Sequence, residues 1–155
     1  SYQEAFDLLF KSVVYTTSLI APKMIKNKWG RIINVTSVSV KEPLNYLVLS
    51  NSIRSAVVAW AKSLSVDVGK GGVTVNSILT GYFDTERIKD LNKEKSKSLN
   101  ISEDEVLEKM KSLVPINRLG KTEEFGYLVS FLSSDKAAYI NGASIPIDGG
   151  LLKSY

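Results

Sequence analysis

Arg31-Ile32-Ile33-Asn34-Val35-Thr36-Ser37 is a short run dominated by branched side chains, with no alternation of polar and apolar residues until its hydroxyl end. A strand half exposed to water alternates, whereas one covered on both faces reads as a nearly continuous apolar run. The segment therefore predicts a buried strand of a parallel sheet, and its neighbours predict the crossovers such a sheet needs. Before it, residues from Tyr2 to about Lys28 place Ala5, Leu8, Leu9, Val13, Leu19 and Ile20 at helical spacing, with a stop near Trp29-Gly30. Pro22 is expected to kink that helix. Ser1 and Glu4 have capping-box spacing, so the chain opens directly on a helix and is expected to enter its fold in the middle.

After a loop through Lys41-Glu42-Pro43, the stretch from about Leu47 to Val68 is apolar nearly all round, as in a helix covered on both sides by the sheet and another subunit. Gly69-Lys70-Gly71-Gly72 ends it. Val73 to Ile78 predicts a second buried strand that runs into Leu79-Thr80-Gly81, a connection of the kind that carries functional groups. Two polar amphipathic helices are expected from Asp84 to about Leu91 and from Ser102 to Leu113, the second opening with the capping box Ser102-x-x-Glu105. Thr122 is expected to cap a further helix to about Ser134, and Ser144 to Asp148 to form a last strand before Gly149-Gly150. Pro146 lacks the N–H that a ladder needs on both sides, which places this strand at a sheet edge. The order of elements is that of a parallel α/β sheet with right-handed crossovers.

Composition narrows the chemistry. The 155 residues, 44% hydrophobic and 23% charged, fit one globular unit or part of one. With no Cys and no His, thiolate chemistry and the commonest general base and metal ligand are absent, so no metal site is expected. The net charge of +4 comes mostly from lysines interleaved with acids, as between Lys89 and Lys111, which reads as a solvated helical face. Nucleic acid is not an expected partner. No run approaches the roughly 18 consecutive apolar residues of a membrane span, and the N-terminus lacks the order of a secretion signal. No membrane association and a cytoplasmic location are expected.

Several phrases in series resemble short-chain dehydrogenases/reductases: Gly30-Arg31-Ile32-Ile33-Asn34-Val35-Thr36-Ser37, Val73-Thr74-Val75-Asn76, Gly81 followed by Thr85, Arg118-Leu119-Gly120 with Glu123-Glu124, Tyr139-Ile140-Asn141-Gly142, and Ile147-Asp148-Gly149-Gly150. In this order they cover the whole chain. The resemblance implies an α/β fold, the C-terminal half of a doubly wound parallel Rossmann-type sheet with three strands and flanking helices. Residues 1–155 are then a single partial domain without the N-terminal dinucleotide-binding half, and 84–113 resembles the family's variable substrate lid. No glycine-rich nucleotide loop follows a strand, since Gly69, Gly71 and Gly72 lie after a helix.

The family's catalytic Ser falls on Ser37, its Tyr on Ser50, its Lys on Arg54 and its upstream Asn on Leu9. Ser37 also reads as a strand-end hydroxyl that satisfies local backbone. The spacing of four keeps Ser50 and Arg54 on one helix face, but a Ser hydroxyl titrates far above a phenol of pKa about 10, so Ser50 is a poor proton donor. Arg54 is equally readable as a structural ion pair or as a fork for ribose, phosphate or a substrate carboxylate. Tyr46 and Tyr82 are candidates for a recruited acid, each also readable as packing or substrate contact. The phrase Leu49-Ser50-Asn51-x-x-Arg54 resembles that of a divergent subgroup. Gly81, Phe83 and Thr85 match the family's nicotinamide and diphosphate contacts, beside the plainer readings of a turn glycine and a helix-start threonine.

The resemblance implies NAD(P) and a small-molecule alcohol or carbonyl substrate, with redox activity only when the N-terminal half completes the protein. Two other readings stand beside it: a non-catalytic pseudoenzyme or assembly subunit, and a binding protein in which Arg54 grips an anionic ligand. A homo-oligomer or the N-terminal half of the same fold is the expected partner.

Overall fold

The computed structural model describes residues 1–45 and 47–154, so Tyr46, one of the candidate acids, lies outside the described residues. Strands β1 (Gly30–Ser37), β2 (Val73–Thr80) and β3 (Ser144–Ile147) form one parallel sheet in the order β1-β2-β3. β1 and β2 run in register over their full length, from Gly30 opposite Val73 to Ser37 opposite Thr80. β3 covers only the second half of β2, from Ser77 opposite Ser144 to Thr80 opposite Ile147. Central β2 is buried from Val73 through Leu79, as a strand flanked on both edges and both faces must be. Pro146 sits in the edge strand, where the sequence predicts it.

Helices α1 (Tyr2–Phe6), α2 (Ser12–Lys26) and α3 (Val48–Gly69) precede β2, and α4 (Glu86–Leu99), α5 (Glu103–Ser112) and α6 (Thr122–Ser133) follow it. Alternation along the strands divides the core between two faces. Ala61, Val68, Val73 and Val75 pack with Met24, Ile32, Trp60 and Leu64 on the side of α2 and α3. Ile78, Leu132 and Ala137 pack with Ile33, Phe125, Leu128 and Ile145 on the side of α6. Helices on both faces of a parallel sheet define the doubly wound class. Two asparagines stitch β2 to the turn before β3: Asn76 Nδ2 donates to the Ile140 carbonyl at 2.8 Å, and Asn141 Oδ1 accepts the Val75 N–H at 2.9 Å.

Three local expectations are corrected. The N-terminal helix ends at Lys26 and runs on through Pro22, and its irregularity is a π-helical turn at Asp7–Lys11. α4 extends eight residues past Leu91 to Leu99, because Lys93 to Ser98 lack an apolar period yet are mostly good helix formers, and Asn100 ends it at φ 52°. Thr122 is the first helical residue of α6 rather than its cap. The preceding Lys121 N–H is satisfied by the Glu124 carboxylate at 2.8 Å. α3 buries a single stripe, Ile53, Val57, Ala61, Ser65 and Val68, while Val48 and Val66 stay exposed. Both anticipated capping boxes, at Ser1–Glu4 and Ser102–Glu105, are formed.

The surface carries two open features. Among the described residues β1 pairs only with β2, so its outer edge is free, and Asn34 on that strand holds a buried Nδ2 with no partner. The helix Tyr2–Lys26 is long and apolar enough to cross a membrane by length and composition, with a mean hydropathy of 1.2, yet only 6% of that window is buried.

Candidate active site

A crevice opens outside the carboxyl ends of the strands, the position at which open α/β sheets bind ligands. Its floor is a cavity of about 340 Å³ bounded by Val35, Thr80, Gly81, Phe83, Thr85 and the first turn of α4. The strand ends are tied together, since Thr36 Oγ donates to the Ile78 carbonyl at 3.0 Å and Thr80 Oγ to the Thr36 carbonyl at 2.8 Å. Gly81 is required by packing. A Cβ there would lie 2.7 Å from Asp148 Cα, while its N–H donates to the Ile147 carbonyl at 3.0 Å. Thr85 caps α4, its hydroxyl accepting the Ile88 N–H at 3.4 Å. The plainer readings of Gly81 and Thr85 are thus realised, and both residues nonetheless face the crevice.

Ser37, at the end of β1, accepts the Ser39 N–H at 3.1 Å and holds the short turn Val38–Val40. Its own hydroxyl hydrogen is left to donate. Across from it, α3 runs over β1 and brings Arg54 onto the strand: Nε donates to Ser50 Oγ at 3.2 Å and Nη1 to the Val35 carbonyl at 3.3 Å. Partial burial pushes the Arg54 guanidinium below its usual value, far too little to discharge it at neutral pH. Leu9 lies within the π-helical turn, where Ser12 Oγ donates to the Leu8 carbonyl at 2.5 Å. Tyr82 borders a separate cavity of about 190 Å³ with Ile147 and Asp148. Burial pushes its phenol up, which makes it a reluctant acid.

Phe83 separates the two cavities. It bridges to Gly120 and meets Phe125 edge-on at 6.0 Å. Arg118 then locks the chain after α5 through a bidentate pair with Glu124, at 2.7 and 2.8 Å. With the Lys121 N–H added, the Glu124 carboxyl is held down to about 2. A depressed acid contributes stability that is whole above its unfolded pKa of about 4.3 and lost as pH falls toward the folded value. Acid titration followed by circular dichroism is expected to show the parent losing stability between about pH 4 and 2, and Glu124→Gln to flatten that segment. Equal slopes would refute it.

Sequence reasoning missed Val35, Arg87, Thr122 and Phe125 as crevice residues. A signal existed for Arg87, a cation in the first turn of a helix, where acids are favoured. It also missed Glu42, whose carboxylate accepts the Lys153 and Ser154 N–H groups at 2.8 and 2.7 Å and ties the C-terminal segment to the loop after β1.

A parallel sheet sandwiched by helices, with a crevice at the carboxyl ends of its strands, is the doubly wound α/β architecture. A family model described as enoyl-(acyl carrier protein) reductase matches residues 1–152. The chain belongs to the short-chain dehydrogenase/reductase family. It is 32% identical to the NADPH-dependent reductase BacG of Bacillus subtilis over 93% of this chain and 56% of that protein. It is 31% identical to the 3-oxoacyl-[acyl-carrier-protein] reductase FabG of Buchnera aphidicola over 97% of this chain and 57% of that protein. The crystal structure of L-sorbose reductase from Gluconobacter frateurii, complexed with NADPH and L-sorbose, superposes with a TM-score of 0.93 at 28% identity, covering 99% of this chain and 59% of that one. The chain therefore spans about half the length of the curated relatives it matches.

Proposed function

We propose that this chain, residues 1–155, is the C-terminal half of an NAD(P)-dependent alcohol or carbonyl oxidoreductase, inactive alone and functional once an N-terminal dinucleotide-binding half is joined or docked. The observation that carries this reading is the arrangement at the strand ends: Gly81 and Thr85 line the crevice, Ser37 pairs in register with its wall residue Thr80, and Arg54 donates to the carbonyl of its wall residue Val35. The donor set suits the nicotinamide, ribose and diphosphate portion of a dinucleotide: a guanidinium fork, a helix-start hydroxyl and an apolar wall from Val35, Phe83 and Ile88. The adenosine end would rest on the N-terminal half, against the free edge of β1.

The nicotinamide, when bound, supplies or takes the hydride. Ser37 donates a hydrogen bond to the substrate oxygen while it accepts the Ser39 N–H. Ser50 accepts from Arg54 Nε and is thereby turned to present its own proton, but it cannot serve as an acid near neutral pH. The proton reaches the substrate oxygen from solvent, and turnover is slow. Residues 84–113 act as the substrate lid, and the exposed face of the N-terminal helix joins a second copy in the cytoplasmic enzyme.

Titration of the assembled protein with NADH and NADPH is expected to give saturable binding and slow carbonyl reduction. Refusal of both dinucleotides would sink the proposal. One feature favours a second reading, a non-redox ligand-binding subunit: the half-buried Arg54 meets no carboxylate among the described residues. Carboxylate binding that disappears in Arg54→Ala, without dinucleotide binding, would establish it.

A further inference from the structure

The chain has only four arginines, Arg31, Arg54, Arg87 and Arg118. Two are spent within the fold. Arg31 pairs with Asp135 at 3.3 Å and lies over the Trp29 ring at 5.0 Å, and Arg118 clamps Glu124. Among the described residues Arg54 and Arg87 meet no carboxylate within 4.0 Å. Arg87 lines the wall of the crevice, and Arg54 stands behind that wall, donating to the carbonyl of Val35, another of its lining residues. The crevice thus concentrates positive charge that the fold does not neutralise, and its natural complement is a multiply charged anion.

Arg87 is also in the wrong place for a merely solvated residue. As the second residue of α4 it faces the positive end of the helix dipole, where a cation is unfavourable and an anion favourable. The nearest acid in sequence does not offset it, because Glu86 turns to Lys89 at 2.7 Å. The first-turn N–H groups of Glu86 and Arg87 have no acceptor within the helix and add further donors for an anion.

We propose that Arg87 binds the diphosphate of the dinucleotide, gripping its oxygens with the guanidinium fork above the Thr85-capped helix start. This rests on the dinucleotide reading above. Arg54 then serves the ribose end and Arg87 the diphosphate, so the two unpaired arginines have distinct tasks along one ligand.

The test is calorimetric titration of the assembled protein with ADP-ribose, which carries the diphosphate without the nicotinamide, and with NADH. Arg87→Gln is expected to raise the Kd for both by about tenfold, the loss of one charge-assisted fork. Arg87→Lys should fall between variant and parent, since it keeps the charge and loses the fork. The dependence of Kd on ionic strength should become shallower in Arg87→Gln, with a Tm no lower than the parent's, because the exposed side chain has no partner to lose and its charge opposes the helix dipole. An Arg87→Gln Kd for ADP-ribose within about twofold of the parent overturns the assignment and leaves the dinucleotide reading intact. A parent that binds neither probe overturns both.

Discussion

The assembled protein carrying Ser50→Tyr together with Arg54→Lys is expected to reduce carbonyl substrates on the order of 100-fold faster than the parent, the scale of a well-placed general acid. The two residues already lie one helical turn apart and in contact, Arg54 Nε on Ser50 Oγ at 3.2 Å, so the exchange alters chemistry without altering placement. A phenol whose pKa begins near 10 is brought toward neutrality by an adjacent ammonium, whereas a serine hydroxyl lies beyond the reach of one cation. Loss of reduced-dinucleotide absorbance with a panel of aldehydes and ketones reads the rate. Each single substitution should recover much less, since either partner alone leaves the proton step unassisted. A double variant that folds and binds the dinucleotide but turns over no faster would show that the crevice serves something other than carbonyl reduction.

On the proposal that the N-terminal helix joins a second copy, Leu8→Glu with Leu19→Glu is expected to weaken self-association by about 100-fold, measured by sedimentation. Leu8, Tyr15 and Leu19 are 72%, 63% and 64% exposed; Tyr15 and Leu19 share one helix face at a spacing of four, and Leu8 lies within the π-helical turn that precedes them. Burying side chains of this size contributes about 1.5 to 3 kcal/mol each, so the face as a whole carries a sum on the order of 5 kcal/mol, comparable to the net stability of a small domain. Two carboxylates set into that contact must be desolvated without partners. Unchanged association, or a parent that does not associate, would overturn the placement of a second copy on this face.

Much of the architecture was legible because it follows from local patterning. Arg31 to Ser37 and Val73 to Ile78 are branched runs too short for helices, and the capping boxes at Ser1 and Ser102 announce helix starts by chemistry alone. The end of α4 was not, because Lys93 to Ser98 offer no apolar face to follow and helix there depends on propensity. Of the site, the Ser50–Arg54 contact follows from a spacing of four. The Arg54 bond to the Val35 carbonyl depends on how α3 crosses β1, a tertiary fact with no local signature. Arg87 illustrates the same limit from the other side: an exposed arginine among lysines and acids reads as solvated surface until the cavity beside it is known.

The π-helical turn at Asp7–Lys11 sets a condition on whatever covers the N-terminal helix. One extra residue in a turn delays the helical phase by roughly 100°, the rotation of a single residue. The side chains before the turn, Tyr2 and Phe6, therefore fall out of step with Tyr15 and Leu19 after it. A partner helix following an unbroken heptad seam would meet one set and lose the other. A complementary surface would have to cross at an angle or carry a compensating break of its own, and such a joint would behave as two short contacts hinged at the turn, each able to open without the other.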